Sequence, residues 1–277
     1  DASDTFLAAL ADAIEPEAKR RIIGDSFVKV FQHEAERLGI EHHLLGQGTI
    51  YPDTIETGGT KRAQTIKTHH NRVPIIEEMI QAGKVVEPLA DLYKVEVREL
   101  GERMGIEHQA LWRHPFPGPG LGVRLLCSDG TQDTEGFEDL IPQTEAIAES
   151  YGLQACLLPI RSVGVKADVR AYEHPVLLSG DVPWDTLIAA VSSLTAKVPG
   201  INRCVWNVDE GHPNQARAVE GRVTRARLDI LREADAIVMD ALRDHGVYND
   251  VWQCPTVLAP LALGDSDGET IILRPVH

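Results

Sequence analysis

Ten residues near the middle of the chain limit its fold more than any others. RHPFPGPGLG, residues 113–122, holds three prolines and three glycines. Proline locks φ and removes an N–H, while glycine weakens any regular element it interrupts, so neither a helix nor an inner strand is predicted there. The stretch reads as a fixed loop with a domain boundary at it or just after it, separating residues 1–122 from 123–277. A chain of 277 residues is long enough for two such parts, each with a core.

The segment before the loop alternates helical and strand-like patterns. Residues 5–14 predict a short helix capped by Ser3 or Asp4, and Pro16 suits the first turn of a second. Ile23, Phe27, Val30, Phe31 and Leu38 recur at helical spacing until Gly39. Residues 43–50 predict a buried strand running into a glycine turn, 65–70 a shorter strand, and 84–89 another. Pro74 opens a helix that closes at Gly83, and residues 95–105 predict an amphipathic one. This alternation indicates an α/β layer with a mostly parallel sheet. After the loop the pattern becomes α+β and repeats. Residues 137–152 and 227–246 each predict a helix ending in glycine, followed by strand, turn and strand, with Gly152 and Gly246 as the closing glycines. A further helix (187–197) and strand (202–208) follow the first copy. Residues 155–165 and 252–262 are apolar enough for a sheet buried on both faces.

Charge excludes some classes of function. The net charge of −15 argues against a nucleic-acid partner, which needs a basic face, yet leaves room for an anionic ligand held by a few local cations. No apolar run is long enough to span a bilayer, and residues 1–4 lack the pattern of a signal peptide, so no membrane partner and a cytoplasmic location are expected. Cys127, Cys156, Cys204 and Cys254 match no zinc or CxxC spacing and read as reduced, mostly buried thiols.

Several residue groups could carry chemistry. His69 and His70 are adjacent, and on a strand they face opposite sides, so no metal ligand set is predicted. Lys67 shares a face with His69 and could reach a polyphosphate, or simply be solvated. The proline-glycine loop, with Gly118, Gly120 and the flanking Arg113 and His114, could bring backbone N–H groups against a ligand or serve as a rigid connector. Asp53 follows a glycine turn at a predicted strand end, where it could position a metal-bound phosphate or cap the next turn. Asp168 and Arg170 lie two apart in an alternating stretch; as one strand they would share a face, as ligand contacts or as an ion pair. Lys19, Arg20 and Arg21 cluster in the first turn of the second helix, by default a solvated face. GxxxxGK[ST], GxGxxG, HExxH and SGGxDS strings are all absent.

Several longer strings occur in the order they take in one enzyme family. They include KRRIIGDSFVKVF (19–31), GQGTIYPDTIE (46–56), IKTHHN (66–71), VVEPLADLYKVEVRELG (85–101) and RHPFPGPGLGVR (113–124). LLPIRSVGVKADVRAY (157–172), VPGINRCVW (198–206) and VWQCPTVLAP (251–260) continue the series. Together they resemble the glutamine-hydrolysing GMP synthases. The unit between 125 and 225 resembles the longer form found in eukaryotes and some bacteria.

The resemblance implies an ATP pyrophosphatase fold, of the adenine nucleotide alpha hydrolase type, for residues 1–122. It implies an α+β dimerisation region with two related subdomains, the second incomplete, for 123–277. It implies a ligase using ATP and Mg2+. ATP adenylylates the purine O2 of xanthosine monophosphate (XMP), and ammonia from a glutaminase domain or subunit then displaces AMP to give GMP. Residue by residue, Lys67 matches a lysine brought near the reacting phosphate. Arg20 or Arg21, Asp168, Arg170 and Gln253 match XMP contacts. Asp53, His69, His70, His114, Gly118 and Gly120 fall near the ATP phosphates. Ala167 stands where the family usually has glycine. The family's SGGVDS phosphate loop would precede Asp1 and its KPPxTxEWE tail would follow His277, so this chain alone is expected to make no GMP. It is expected to come from a homodimeric parent. The competing expectations are a catalytically inactive nucleotide-binding or dimerisation module of the same family and, with less support, a tRNA-modifying relative.

Overall fold

A computed structural model describes residues 1–40, 42–58, 74–116, 118, 120–166, 169–209 and 211–277, with backbone only for 55–58, 74–77, 165, 166, 169 and 170. The chain divides into two compact units. Unit 1 comprises residues 1–123, 239–255 and 274–277; unit 2 comprises 124–238 and 256–273.

Unit 1 opens with α1 (Ser3–Leu10) and α2 (Pro16–Arg37). Neither Ser3 nor Asp4 caps α1 as predicted. Ser3 is already helical, and its N–H and hydroxyl both donate to the Asp1 carboxylate, at 2.9 and 2.6 Å. The helix is thus anchored from outside its first turn. α2 behaves as its sequence predicts. Pro16 fills the first helical position, Arg37 the last turn, and Gly39 follows with φ 69°. The expected buried strand over 43–50 is reduced to β1 (Leu45–Gly46), which pairs in parallel with β2 (Val85–Val86). Two causes are visible. Gly46 and Gly48 offer no side chains to bury, and the next helix, α3 (Tyr51–Gly58), starts almost at once. Leu44 and Val86 are exposed, while Thr49 is buried and donates its hydroxyl to the Glu87 carboxylate. α4 (Pro74–Gln81), α5 (Lys94–Arg103) and the short α6 (His108–Leu111) follow, with Glu96 accepting the Tyr93 N–H to start α5. The predicted strand at 65–70 lies outside the described residues. The proline-glycine loop ends earlier than its composition suggests. α7 (Leu121–Arg124) begins two residues after Pro119, because nothing beyond that proline forbids a helical turn.

Unit 2 begins with β3 (Ser128–Asp129) and α8 (Phe137–Ser150). β4 (Gln154–Leu157), β5 (Ser162–Lys166), β6 (Val169–Ser179), α9 (Trp184–Lys197) and β7 (Ile201–Trp206) come next. β6 is the organiser. It pairs antiparallel with β4 and β5 and parallel with β7. Its stretch from His174 to Ser179 is buried throughout. Val176 and Leu178 point into a core with Leu140, Leu153, Leu187, Leu194 and Ile201. Leu177 points the other way, into a second core with Cys156, Leu158, Ala259 and Leu261. Period-two alternation therefore buries both faces of the sheet, as the apolar run over 155–165 predicts, except at its end, where Val163 is exposed.

β8 (Ala216–Ala218) and β9 (Glu220–Gly221) come next, and the stretch predicted as the second copy of the pattern holds α10 (Arg225–Asp244), β10 (Thr256–Ala259), β11 (Leu261–Leu263) and β12 (Thr270–Leu273). Gly152 and Gly246 follow their helices with φ 75° and 71°, where a side chain would be strained. β10 pairs antiparallel with β12 over four residues, as β4 does with β6. The middle strand differs. β5 forms a hairpin with β6, whereas β11 pairs with β8. No helix among the described residues is long and apolar enough to cross a membrane.

Candidate functional site

The cationic cluster at the start of α2 is not uniformly solvated. Helix periodicity turns Lys19 inward, where it is fully buried, while Arg20 is half-buried and Arg21 exposed. The expected solvated face is corrected at Lys19 for that reason: three consecutive residues span about 200° of a helix and cannot share one face. Arg20 lies beside Glu17, one turn earlier, in an ion pair open to water. Such a pair costs little to exchange for a stronger anion. Asp53 uses its carboxylate locally, accepting the Ile50 N–H at 3.1 Å in the first turn of α3.

His114 is the most specifically held residue of the proline-glycine loop. Its ring stacks on Tyr248 at 4.0 Å between centroids and 7° between planes. Its backbone N–H donates to the Tyr248 hydroxyl at 3.1 Å, and its Nε2 lies 2.7 Å from the Tyr248 carbonyl oxygen. A carbonyl only accepts, so Nε2 carries the hydrogen. Nδ1 is buried and has no hydrogen-bond partner among the described residues. The guanidinium of Arg243 covers the Tyr248 ring at 5.0 Å. Gly118 is exposed, and Gly120 has φ 65° beside the Phe116 ring. Five residues beyond Tyr248, Gln253 forms an isolated antiparallel bridge with Val276. Arg20, Arg21, Asp53, His114, Gly118, Gly120 and Gln253 all belong to unit 1.

The stretch 163–172 is not one strand. β5 and β6 run antiparallel with Lys166 opposite Val169 and Val165 opposite Arg170. Period-two alternation on both arms of a hairpin resembles that of a single strand, so the condition under which Asp168 and Arg170 would share one strand is not met by the pattern alone. Arg170 is described by its backbone alone, in unit 2, and Lys67, His69, His70 and Asp168 lie outside the described residues.

Sequence reasoning missed a polar cluster in unit 2. His174, on β6, is buried, with Nδ1 2.9 Å from the Ile160 carbonyl and Nε2 3.2 Å from that of Glu135. Arg161 donates to both Asp133 oxygens and to Glu135, and holds the Asp133 carboxyl below its ordinary range. Glu135, Arg161 and His174 line a depression of about 460 Å3 together with Leu140. No spacing rule links residues 133, 161 and 174 before the sheet is known. All four cysteines are free thiols. Burial pushes Cys156 up to about 11, helped by the charge of Glu145, and Cys204 up to about 12. Among the described residues, no group of three His, Cys, Asp or Glu side chains is placed to hold a metal.

No family model matches the chain. Similarity to individual proteins is extensive. A probable glutamine-hydrolysing GMP synthase of Leptospira interrogans is 43% identical over 285 residues, covering all of this chain and 46% of the relative. The GMP synthase of Syntrophomonas wolfei is 40% identical over 238 residues, and that of the yeast Yarrowia lipolytica 38% over 239. Each covers 77% of this chain and 45% of the relative. The chain thus spans a little under half the length of the curated relatives it matches.

Proposed function

We propose that this chain, a member of the GMP synthase family, supplies the XMP-handling half of an enzyme that converts XMP to GMP. The observation that carries the reading is homology along the whole chain at 43% identity. Residues 1–122 are the later part of an ATP pyrophosphatase domain, and 123–277 the dimerisation and XMP-binding region of a homodimer. The reaction joins nitrogen to carbon at the expense of ATP. The purine O2 of XMP attacks the α-phosphorus of ATP and pyrophosphate leaves. Ammonia released from glutamine then attacks C2, and AMP leaves with O2.

In this reading Arg20 or Arg21 neutralises the XMP phosphate, and Asp168, Arg170 and Gln253 contact the nucleotide. Lys67 stabilises charge on the reacting phosphate, where a fixed cation is worth most. Asp53, His69, His70, His114, Gly118 and Gly120 line the approach to the ATP phosphates. The ion pair of Arg20 with Glu17 suits such a role, because it preorients the guanidinium while leaving it in reach of water. Magnesium in phosphoryl chemistry usually takes one or two carboxylates and completes its shell with water and phosphate oxygens. The described residues offer no larger cluster, so no step is assigned to the metal.

Trp252, exposed and adjacent to Gln253, provides an assay. Titration of the 277-residue chain with XMP is expected to change its tryptophan fluorescence saturably, and Gln253→Ala is expected to weaken that response. A flat titration at millimolar XMP, or an equal response to AMP and XMP, overturns the reading.

A further inference from the structure

The nucleotide contact assigned to Gln253 sits on a segment with little regular structure of its own. After α10 the chain turns at Gly246, where the Val247 N–H returns to the Leu242 carbonyl. Residues 247–255 then contain no named strand or helix. Free backbone of this kind loses conformational entropy when it is fixed, so a side chain on it is positioned only as well as the segment is tied.

The segment is tied at Tyr248, ahead of Gln253, and by backbone pairing at residues 252–255, both within unit 1. The far tie is backbone pairing with the last residues of the chain. The Trp252 N–H donates to the Val276 carbonyl at 2.7 Å and the Val276 N–H to the Gln253 carbonyl at 2.8 Å. The Arg274 N–H donates to the Pro255 carbonyl. The near tie is His114, which engages Tyr248 three ways: backbone N–H to hydroxyl, Nε2–H to carbonyl, and ring on ring. Arg243 packs over the Tyr248 ring as well. Pro115 follows His114, and Pro117 and Pro119 lie next in sequence, so the clamp rests on a stretch of restricted φ.

We infer that His114 is a positioning residue: by clamping Tyr248 it fixes segment 247–255 and thereby sets the affinity of Gln253 for the nucleotide. The inference rests on the reading of Gln253 as an XMP contact. The useful atom is Nε2, whose hydrogen is donated whether the ring is neutral or charged. The amide nitrogen of glutamine reaches about as far as Nε2, whereas that of asparagine reaches only as far as Nδ1. A clamp is therefore restored by glutamine and not by asparagine.

The test uses the 277-residue chain with two readouts. The first is amide exchange at Trp252 and Val276. His114→Asn is expected to raise both rates about tenfold and His114→Gln to leave them within about threefold, the loss of one hydrogen bond being worth about one decade. The second is the XMP dissociation constant. It is expected to rise about tenfold in His114→Asn and to recover in His114→Gln. Unchanged exchange in His114→Asn overturns the clamp. Faster exchange with unchanged XMP affinity, while Gln253→Ala weakens binding, overturns the positioning role and leaves the functional reading standing. Absence of XMP binding by the unaltered chain overturns the functional reading, and the link from His114 to the nucleotide with it.

Discussion

Arg227 ties three separate stretches of unit 2 together through a single side chain. Its guanidinium donates to Glu269 through Nε and Nη2, to the Arg222 carbonyl at 2.7 Å and to the Leu126 carbonyl at 2.8 Å. The side chain is 11% exposed and that of Glu269 20%. Gly221 in β9 makes room for it, since a Cβ there would lie 2.8 Å from Cζ. Arg227→Met fills similar volume but strands one largely buried carboxylate and two carbonyls. Removing one partner of a buried pair costs roughly 3–5 kcal/mol. For a chain of this size each kcal/mol lowers the melting temperature by about 2–4 °C, so a fall of roughly 6–20 °C is expected. Calorimetry on three variants tests the reasoning. Arg161→Met is the exposed comparison. Its partners Asp133 and Glu135 are 36% and 85% exposed, and water screens such pairs to about 1 kcal/mol or less. The double variant Arg227→Met/Glu269→Leu removes both charges and is expected to recover much of the loss. A change below about 1 kcal/mol in Arg227→Met, or a double variant no better than the single, would refute the argument.

Two further outcomes follow from the geometry. Gly180, just after β6, has φ 146°, and a Cβ there would lie 3.0 Å from Leu153 Cδ2 and 3.2 Å from the Gly152 carbonyl oxygen. Gly180→Ala is expected to cost about 2–4 kcal/mol in urea unfolding, strain and crowding together, whereas Gly211→Ala, strained at φ 121° in open space, costs about 1–3; equal costs would contradict the crowding. For the thiols, raised values of about 11 and 12 leave the thiolates of Cys156 and Cys204 at about one part in a thousand and one in ten thousand at pH 8. Iodoacetamide is expected to label both only on unfolding, or as the pH climbs toward those values, and labelling of native Cys204 at the rate of a free thiol would count against its burial.

What the sequence revealed and what it hid follow a physical division. Local signals were legible. Pro16 and Gly39 bound α2, Gly152 and Gly246 follow their helices, and the two-sided apolar run over 155–158 lies between two cores. Pairing was not legible. Nothing local distinguishes a single strand over 163–172 from the hairpin of β5 and β6, because both alternate with the same period. The strand predicted over 43–50 shortens to Leu45–Gly46 because the glycine turn begins within it, at Gly46 and Gly48, rather than at its end. Lys19 is buried because a helix turns it inward, which a count of neighbouring charges does not capture. At the candidate site, the sequence singled out His114 but not Tyr248, since 134 residues separate them and a lone tyrosine carries no signal.

The central claim is that these 277 residues do the work of the matching half of a GMP synthase. The most direct measurement replaces the matched region of the Leptospira interrogans relative with residues 1–277 and expresses the chimera in a guanine-requiring bacterium that lacks its own GMP synthase. Growth without guanine is predicted, and its loss in the chimera carrying Arg170→Ala or Gln253→Ala. A folded, abundant chimera that restores no growth would contradict the claim.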